Sequence, residues 1–360
     1  MTTLDRYIAA VFLRQFLYVF LAVTAVILLI DVIELLRRGA GKDVAFGEIM
    51  TLAALRAPHL AEKVAVFAVL FGALSSFFRL TRSQELIVAR SSGVSAWRFL
   101  APVLLAAAFI GVVGTTAFNP IASATLARFE RIAAAVFDGR ADAIVVSDKG
   151  LWLRQTLPDG HAVIYARSVS PGGVTLETAT VFRFDDEERF VERLDADKGE
   201  LTPGRWRFDG VTRTAPGQAP EVLARVDVPT DLTVAGIQES FAAPETMSFW
   251  ALRDFTKALE AAGFSGHRHS LQWHRLVSAP LFMCAMVMIA ASFSLRLSRR
   301  GGTGKMVLFG ILSGFAFYLF SNIVYALGLS GTVPAALAAW TPPGVSLMIG
   351  SAAILHLEDG

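Results

Sequence analysis

Six stretches of this chain are apolar for long enough to cross a bilayer, and that constrains its fold more than any other feature. A spanning helix needs ~20 predominantly apolar residues. The runs fall at 11–33, 58–78, 99–118, 274–295, 306–328 and 336–355. Composition agrees: 54% of residues are hydrophobic and 18% charged, against roughly 45–50% and 25% in soluble domains. A wholly soluble, disordered or collagen-like chain is excluded. The first run is too long for a signal peptide, and no small-residue cleavage site follows it. A formal charge of +2 is too small to point to nucleic acid. The single cysteine, Cys284, lies inside an apolar run, so neither an intrachain disulfide nor a cysteine zinc site can form.

Roughly 155 residues of different character separate the third run from the fourth. The expected architecture is three spans, a domain, then three spans: 1–119 with a short helix at about 82–95, an inserted domain over 120–268, and 269–360. Lys and Arg in the short loops set the orientation. With the N-terminus in the cytoplasm, Arg6, Arg14, Arg79, Arg82, Arg90, Arg98, Arg296, Arg299, Arg300 and Lys305 all lie inside. The other side holds Arg37, Arg38, Lys42 and Arg56 in its short loops, and the large domain.

The inserted domain reads as β. Apolar residues alternate along Trp206-Arg207-Phe208 and recur along Val222–Val226. Turn signals stand at Pro158-Asp159-Gly160, Pro171-Gly172-Gly173, Asp197-Lys198-Gly199, Pro203-Gly204 and Asp209-Gly210. Their spacing predicts about eight short strands in a sandwich or jelly roll. A helix follows, with Ser248 at its N-cap, Leu252, Phe255 and Leu259 on one face, and Gly263 at its C-terminal end.

Little of the sequence carries chemistry. Gly301-Gly302-Thr303-Gly304-Lys305 imitates a phosphate loop. It lacks the required earlier glycine, a preceding strand, and the Ser or Thr after the lysine, where Met306 stands. His267, His269 and His274 have no carboxylate or thiol at metal-ligand spacing. No Gly-x-Ser-x-Gly motif occurs, and Asp185-Asp186 reads as a solvated turn. No catalytic residue, metal site or cofactor is expected. The segment from Arg79 to Gly93 is more informative: Ser83 is placed to cap a short helix carrying Leu86, Ile87 and Arg90, suited to lie on lipid or to dock a partner. Asp31, Glu34, Arg37 and Arg38 end the first span, where a basic pair suits an anionic headgroup. Phe315, Phe317, Tyr318, Phe320 and Tyr325 in the fifth span fit lipid-facing packing or the wall of an apolar cavity.

Leu4-Asp5-Arg6-Tyr7-Ile8, the stretch from Arg82 to Ser95, Gly150-Leu151-Trp152, the Ser248–Gly263 helix leading to Pro280, Gly314-Phe315-Ala316-Phe317-Tyr318 and Pro334 occur in an order that resembles the LptF/LptG family of lipopolysaccharide export permeases. The resemblance covers nearly the whole chain and is closer to the G than to the F branch. It implies a six-helix membrane bundle with an inserted periplasmic β-jellyroll domain, in the bacterial inner membrane. It implies an ABC transporter in which this permease pairs with a sibling of LptF type. Two copies of a cytoplasmic ATPase of LptB type would drive it, and lipopolysaccharide would pass to bridge proteins of LptC and LptA type. The resemblance assigns ATPase coupling to Glu85, with Arg82, Arg90 and Gly93, and headgroup phosphates to Arg37, Arg38 and Arg275. It places Phe317, Tyr318 and Phe320 at the acyl-chain cavity or gate. Asp31 stands where some members carry a basic residue, and Arg275 aligns one residue out of register.

Rival readings are a membrane scaffold or sensor whose β domain binds a protein, a lipid-modifying membrane enzyme, and a secondary transporter. The last two need titratable groups buried within the spans, and the sequence suggests few.

Overall fold

A computed structural model describes residues 3–40, 42, 44–85, 95–138, 144–147, 150–157, 159–169, 175–185, 187–230, 242–261, 264–294 and 303–359. The chain divides into two compact units. One comprises Met1–Phe137, Ser248–Trp250 and Leu271–Gly360; the other comprises Asp138–Met247 and Ala251–Ser270.

In the first unit, α1 (Thr3–Gly39) and α2 (Phe46–Arg82) each run 37 residues. That is about 55 Å at 1.5 Å per residue, well beyond the ~30 Å of bilayer hydrocarbon. α3 (Ala96–Val113) passes through one π-helical turn, Gly114–Phe118, into α4 (Asn119–Ala133), and a second π-turn, Ala134–Asp138, ends the rod. The third helix therefore does not stop where its apolar run stops. α5 (Phe249–Ala261) comes back from the β strands. α6 (His267–Ser294), α7 (Thr303–Leu329) and α8 (Ala335–Asp359) complete the chain. Thr303, Gly304 and Lys305 thus belong to a helix, not to a connecting loop. Among the described residues six helices are long and apolar enough to span a membrane, three before the strands and three after.

Their shared core includes Phe12, Leu70, Phe77, Leu100, Val103, Ala107 and Met286. Small residues let the backbones approach, as in membrane helix pairs generally. A Cβ on Gly72 would stand 2.8 Å from the Phe16 Cα, and one on Gly111 only 2.5 Å from the Pro280 Cα. Pro58, Pro102 and Pro280 sit inside helices, which membrane bundles tolerate because neighbouring helices can satisfy the freed backbone groups.

Among the described residues the second unit holds seven strands: β1 Ile144–Ser147, β2 Gly150–Leu157, β3 Gly160–Val169, β4 Thr175–Phe184, β5 Phe190–Thr202, β6 Arg205–Thr214 and β7 Glu221–Pro229. Each pairs antiparallel with the next, in chain order. In a flat sheet β2 and β7 would lie about 24 Å apart, five spacings of ~4.8 Å. Yet Gln155 of β2 donates to the Pro229 carbonyl at 3.1 Å and accepts from the Thr230 hydroxyl at 2.7 Å. The sheet is therefore rolled, with its apolar face inward, as the expected jellyroll requires. Among the described residues no backbone ladder closes it. Trp206, Phe208, Ile164, Val181 and Leu194 fill the interior, and Leu259 and Phe264 join them. α5 buries Leu252 and Leu259 on the expected face; Gly263 lies outside the described residues.

Two expected turns are not turns. Asp197-Lys198-Gly199 lies inside β5 and Asp209-Gly210 inside β6, so these two strands run longer than the turn spacing predicts. Gly199 is there for clearance: a Cβ would stand 2.6 Å from the Phe208 ring. Glycine inside a strand commonly marks such close approach. Pro203-Gly204 does turn the chain between β5 and β6, with Gly204 at φ +78°.

Candidate functional site

Charged side chains collect where α1 ends and α2 begins. Glu34, one helical turn before Arg37 and Arg38, receives both. Arg37 donates from Nε and Nη2 at 2.8 and 2.9 Å, and Arg38 from Nε at 3.0 Å. Spacings of three and four residues put these groups on one helix face. Both arginines are exposed, so the fork stands in reach of an incoming anion. Asp31, one turn earlier, is buried and pairs with Arg56 of α2 at 2.7 Å. Arg56 in turn lies over the Phe129 ring of α4 at 5.1 Å.

From Arg56 the ribbon continues along α2. Arg56, His59 and Lys63 recur at helical spacing, and Arg275 of α6 also lies within electrostatic reach of His59. Arg275 rests on the Tyr325 ring of α7 at 4.5 Å, a cation–π contact. Five cations, Arg37, Arg38, Arg56, Lys63 and Arg275, therefore accompany three carboxylates, Glu34, Asp31 and Glu62. Arg37 and Arg38 share Glu34 as their partner. Arg275 lies further along the same ribbon, beside α2.

Sequence reasoning missed Arg56, His59, Glu62 and Lys63. Their three- and four-residue spacing at the start of the second apolar run was the available signal. Two titratable groups in the spans have polar partners among the described residues: Asp31 is buried in α1 beside Arg56, and Glu62 of α2 accepts from Asn119.

The opposite end of α2 carries the other expected cluster. Ser83 closes α2, and the short helix it was expected to cap lies outside the described residues. The Ser83 N–H bonds the Arg79 carbonyl, and its hydroxyl donates to the carbonyls of Arg79 and Leu80 at 3.0 and 3.3 Å. Gln84 then adopts φ +61°, the left-handed conformation that commonly follows a helix end. Glu85 is exposed and takes a hydrogen bond from the Tyr7 hydroxyl, with Arg79 and Arg14 in electrostatic reach of the same tyrosine. Phe78, Arg79, Arg82 and Ser83 line a shallow, solvent-open depression of about 350 Å³. Arg90 and Gly93, with Leu86 and Ile87, lie outside the described residues.

Phe317 and Tyr318 turn inward, packed against the bundle core, and the Tyr318 ring meets Phe67 of α2 at 4.5 Å. Phe320 is half-buried, whereas Phe315 and Leu319 face outward. The histidines have separate tasks. His269 Nε2 meets the Ala242 carbonyl at 3.1 Å, and His274 Nδ1 accepts from the Trp340 indole at 3.4 Å. Asp185 is not merely solvated: its carboxylate accepts from the backbone N–H groups of Arg189 and Glu187 and from the Arg189 guanidinium.

Two sets of three membrane-length helices, a rolled β unit inserted in the chain, and charge concentrated at two ends of α2 define a multi-pass membrane protein. The chain belongs to the lipopolysaccharide export system permease LptF/LptG family, whose sequence profile matches residues 6–356. It is 25% identical over 358 residues to the lipopolysaccharide export system permease protein LptG of Escherichia coli K12, covering 96% of both chains. It is 23% identical over 351 residues to the protein of the same name from Haemophilus influenzae, covering 94% of both. These names agree with the closer resemblance to the G branch. The chain is thus a transporter component of lipopolysaccharide export and not an enzyme.

Proposed function

We propose that this permease draws lipopolysaccharide out of the inner membrane for a periplasmic bridge, using free energy from a separate ATPase. The observation that carries this reading is the cationic ribbon from Arg37 to Arg275, set at one end of a bundle that turns large apolar side chains outward. Lipopolysaccharide joins anionic phosphates to several acyl chains, and a site for it needs both characters together. Withdrawing acyl chains from a bilayer costs roughly 0.8 kcal/mol per CH₂, or about 8 kcal/mol for ten. Such a step requires external energy, and this sequence lacks a phosphate loop.

Arg37, Arg38 and Arg275 receive the headgroup in this reading, with Arg56 and Lys63 extending the contact. Phe317, Tyr318 and Phe320 border the acyl-chain path. Glu85, with Arg82, Arg90 and Gly93, meets the ATPase, and the depression beside Ser83 offers a seat for a partner side chain. The arginine bias of the short loops supports a cytoplasmic N-terminus and a periplasmic β unit. A sibling six-span permease, two ATPase copies and jellyroll bridge proteins complete the assembly. ATP-driven closure would expel the lipid by changing its affinity for two states of the bundle.

Purification from native membranes in mild detergent, followed by mass spectrometry, tests the assembly. The expected result is a sibling permease, a phosphate-loop ATPase in two copies and bound lipopolysaccharide; the chain alone would favour a scaffold. Glu85→Ala should fold normally and lose ATPase docking. Replacing Arg37 and Arg38 with Glu should lower lipid crosslinking roughly 10- to 100-fold, as loss of charge-assisted hydrogen bonds implies, and leave assembly intact. Unchanged crosslinking would remove the headgroup role.

A further inference from the structure

The π-turn Gly114–Phe118 is the meeting point of more hydrogen bonds than its length accounts for. Single π-turns inside α-helices are frequent at functional sites. Within this turn the buried Thr115 hydroxyl donates to the Leu276 carbonyl of α6 at 3.0 Å. The Thr116 carbonyl accepts the Trp250 indole N–H at 3.1 Å. The next residue, Asn119, is 3% exposed and uses both ends of its amide. Nδ2 donates to Glu62 Oε1 of α2 at 3.0 Å. Oδ1 accepts the backbone N–H of Phe249, the first residue of α5, at 2.8 Å. The Phe249 ring also lies nearly parallel to that of Trp273 of α6, with centroids 6.2 Å apart.

The amide offers a donor and an acceptor on one short planar group, and Asn119 spends them on two different helices. α2 carries the cationic ribbon at this end and Glu85 just beyond its other. Ser248–Trp250, the start of α5, belong to the membrane unit, whereas residues from Ala251 onward belong to the β unit. The helix held by Asn119 therefore continues as chain of the β unit, and its Leu259 enters that unit's core.

We propose that Asn119 is a positioning residue for export, tying displacement of α2 to the start of α5 so that the bundle's rearrangement reaches the chain of the β unit. The proposal rests on the permease reading. Asn119 acts through Glu62 and the Phe249 N–H and touches no lipid. An aspartate would lose the donor and set a second carboxylate against Glu62, so size alone cannot replace the amide.

The test uses the complete transporter in proteoliposomes, measuring ATP hydrolysis and lipopolysaccharide release together. Asn119→Ala and Asn119→Asp should hydrolyse ATP within about twofold of wild type while releasing at least tenfold less lipid per ATP. A purely structural role would lower both rates together and leave their ratio unchanged; that result overturns the proposal. Should these variants fail to assemble, Glu62→Cys with Asn119→Cys in a Cys284→Ala background decides. Bridging the thiols with a short cleavable reagent should stop release, and reduction should restore it; release unaffected by bridging also overturns the proposal. Absence of ATP-driven release from the wild-type transporter would instead overturn the permease reading beneath it.

Discussion

The two units of this protein bury apolar surface against different surroundings, and their residues show it. In the β unit, the aromatic side chains Trp206 and Phe208 are wholly enclosed, and strand residues alternate between that interior and a face laced with ion pairs such as Arg193–Asp195 and Arg225–Asp209. In the membrane unit the large apolar residues of α1 and α7 point outward: Leu17, Leu21, Leu29, Leu312, Phe315 and Leu319 are all at least half exposed. Water drives the first arrangement, since burial gains roughly 25 cal/mol per Å². Hydrocarbon offers no such gain between helices, so the bundle relies on close backbone approach and on a few polar links. The β unit thus depends on filling its interior, the membrane unit on fitting its helices.

That contrast is tested most severely at Gly111. With the Pro280 Cα only 2.5 Å from where a Cβ would stand, Gly111→Leu has no flexible neighbour to displace. Overpacking of this kind commonly costs ~1–3 kcal/mol and more where backbone must move; here we expect loss of monodisperse protein in detergent. Near-normal yield of the leucine variant would mean that the helices are not held by this approach.

A paired substitution sharpens the same point. Leu29 of α1 and Val222 of β7 are both exposed apolar residues. Leu29→Lys should cost about 3 kcal/mol of insertion, the value for a lysine placed centrally in a spanning helix. Val222→Lys should change stability by less than about 0.5 kcal/mol, as for an ordinary surface site. Insertion mapping in microsomes and thermal melting read the two. Equal tolerance would show that the outward face of α1 does not meet lipid or a sibling subunit.

How far these features could be read from residues alone follows from the same physics. The spans were legible because hydrocarbon demands long uninterrupted apolar runs. The continuation of the third helix to Phe137 was not, because α4 carries Arg128, Glu130 and Arg131 and no longer looks like a span. In the β unit, Trp206 and Phe208 announced their strand by alternation. Gly199 and Gly210 read as turns, although one clears an aromatic ring and the other takes a left-handed φ inside a strand. Arg37 and Arg38 stood out as a basic pair, but that Glu34 gathers both required the helix itself. The partnership of Arg275 with Tyr325, fifty residues later and on another helix, left no local trace. Ser83 suits either end of a helix, and that its hydroxyl closes α2 is visible only in the geometry.

A smaller effect is expected where the β unit buries charge. Glu192, 3% exposed in the strand face that turns inward, takes Arg183 at 2.6 Å and Arg213 at 2.5 Å, and Arg183 also reaches Asp159 at 2.8 Å. Removing one partner of a fully buried pair costs 3–5 kcal/mol. Both arginines here keep some access to water, so Glu192→Ala should cost about 2 kcal/mol. Intrinsic tryptophan fluorescence, with Trp206 in the β core, would follow the loss. If Glu192→Ala melts with the wild type, the triad contributes nothing and packing alone holds the roll.

The smallest effect belongs to the β4–β5 turn and is one of pH. Backbone hydrogen bonding from Arg189, then its guanidinium and the Glu187 N–H, holds the Asp185 carboxyl below the ordinary aspartate value of 3.8. A carboxylate with a depressed folded-state pKa stabilises fully above its unfolded value and loses that contribution as pH falls through the folded one. The stabilisation should therefore be constant from neutrality down to about pH 3.8 and fade below it. Asp185→Asn should melt slightly earlier than wild type at pH 6, and the two curves should converge as the medium becomes more acid. Asp185 lies in the β unit, so convergence should appear in β-unit signals such as Trp206 fluorescence and not in the helical signal at 222 nm. An offset between the two proteins that stays constant down to pH 2.5 would show that the charge of Asp185 is irrelevant and that only its shape closes the turn.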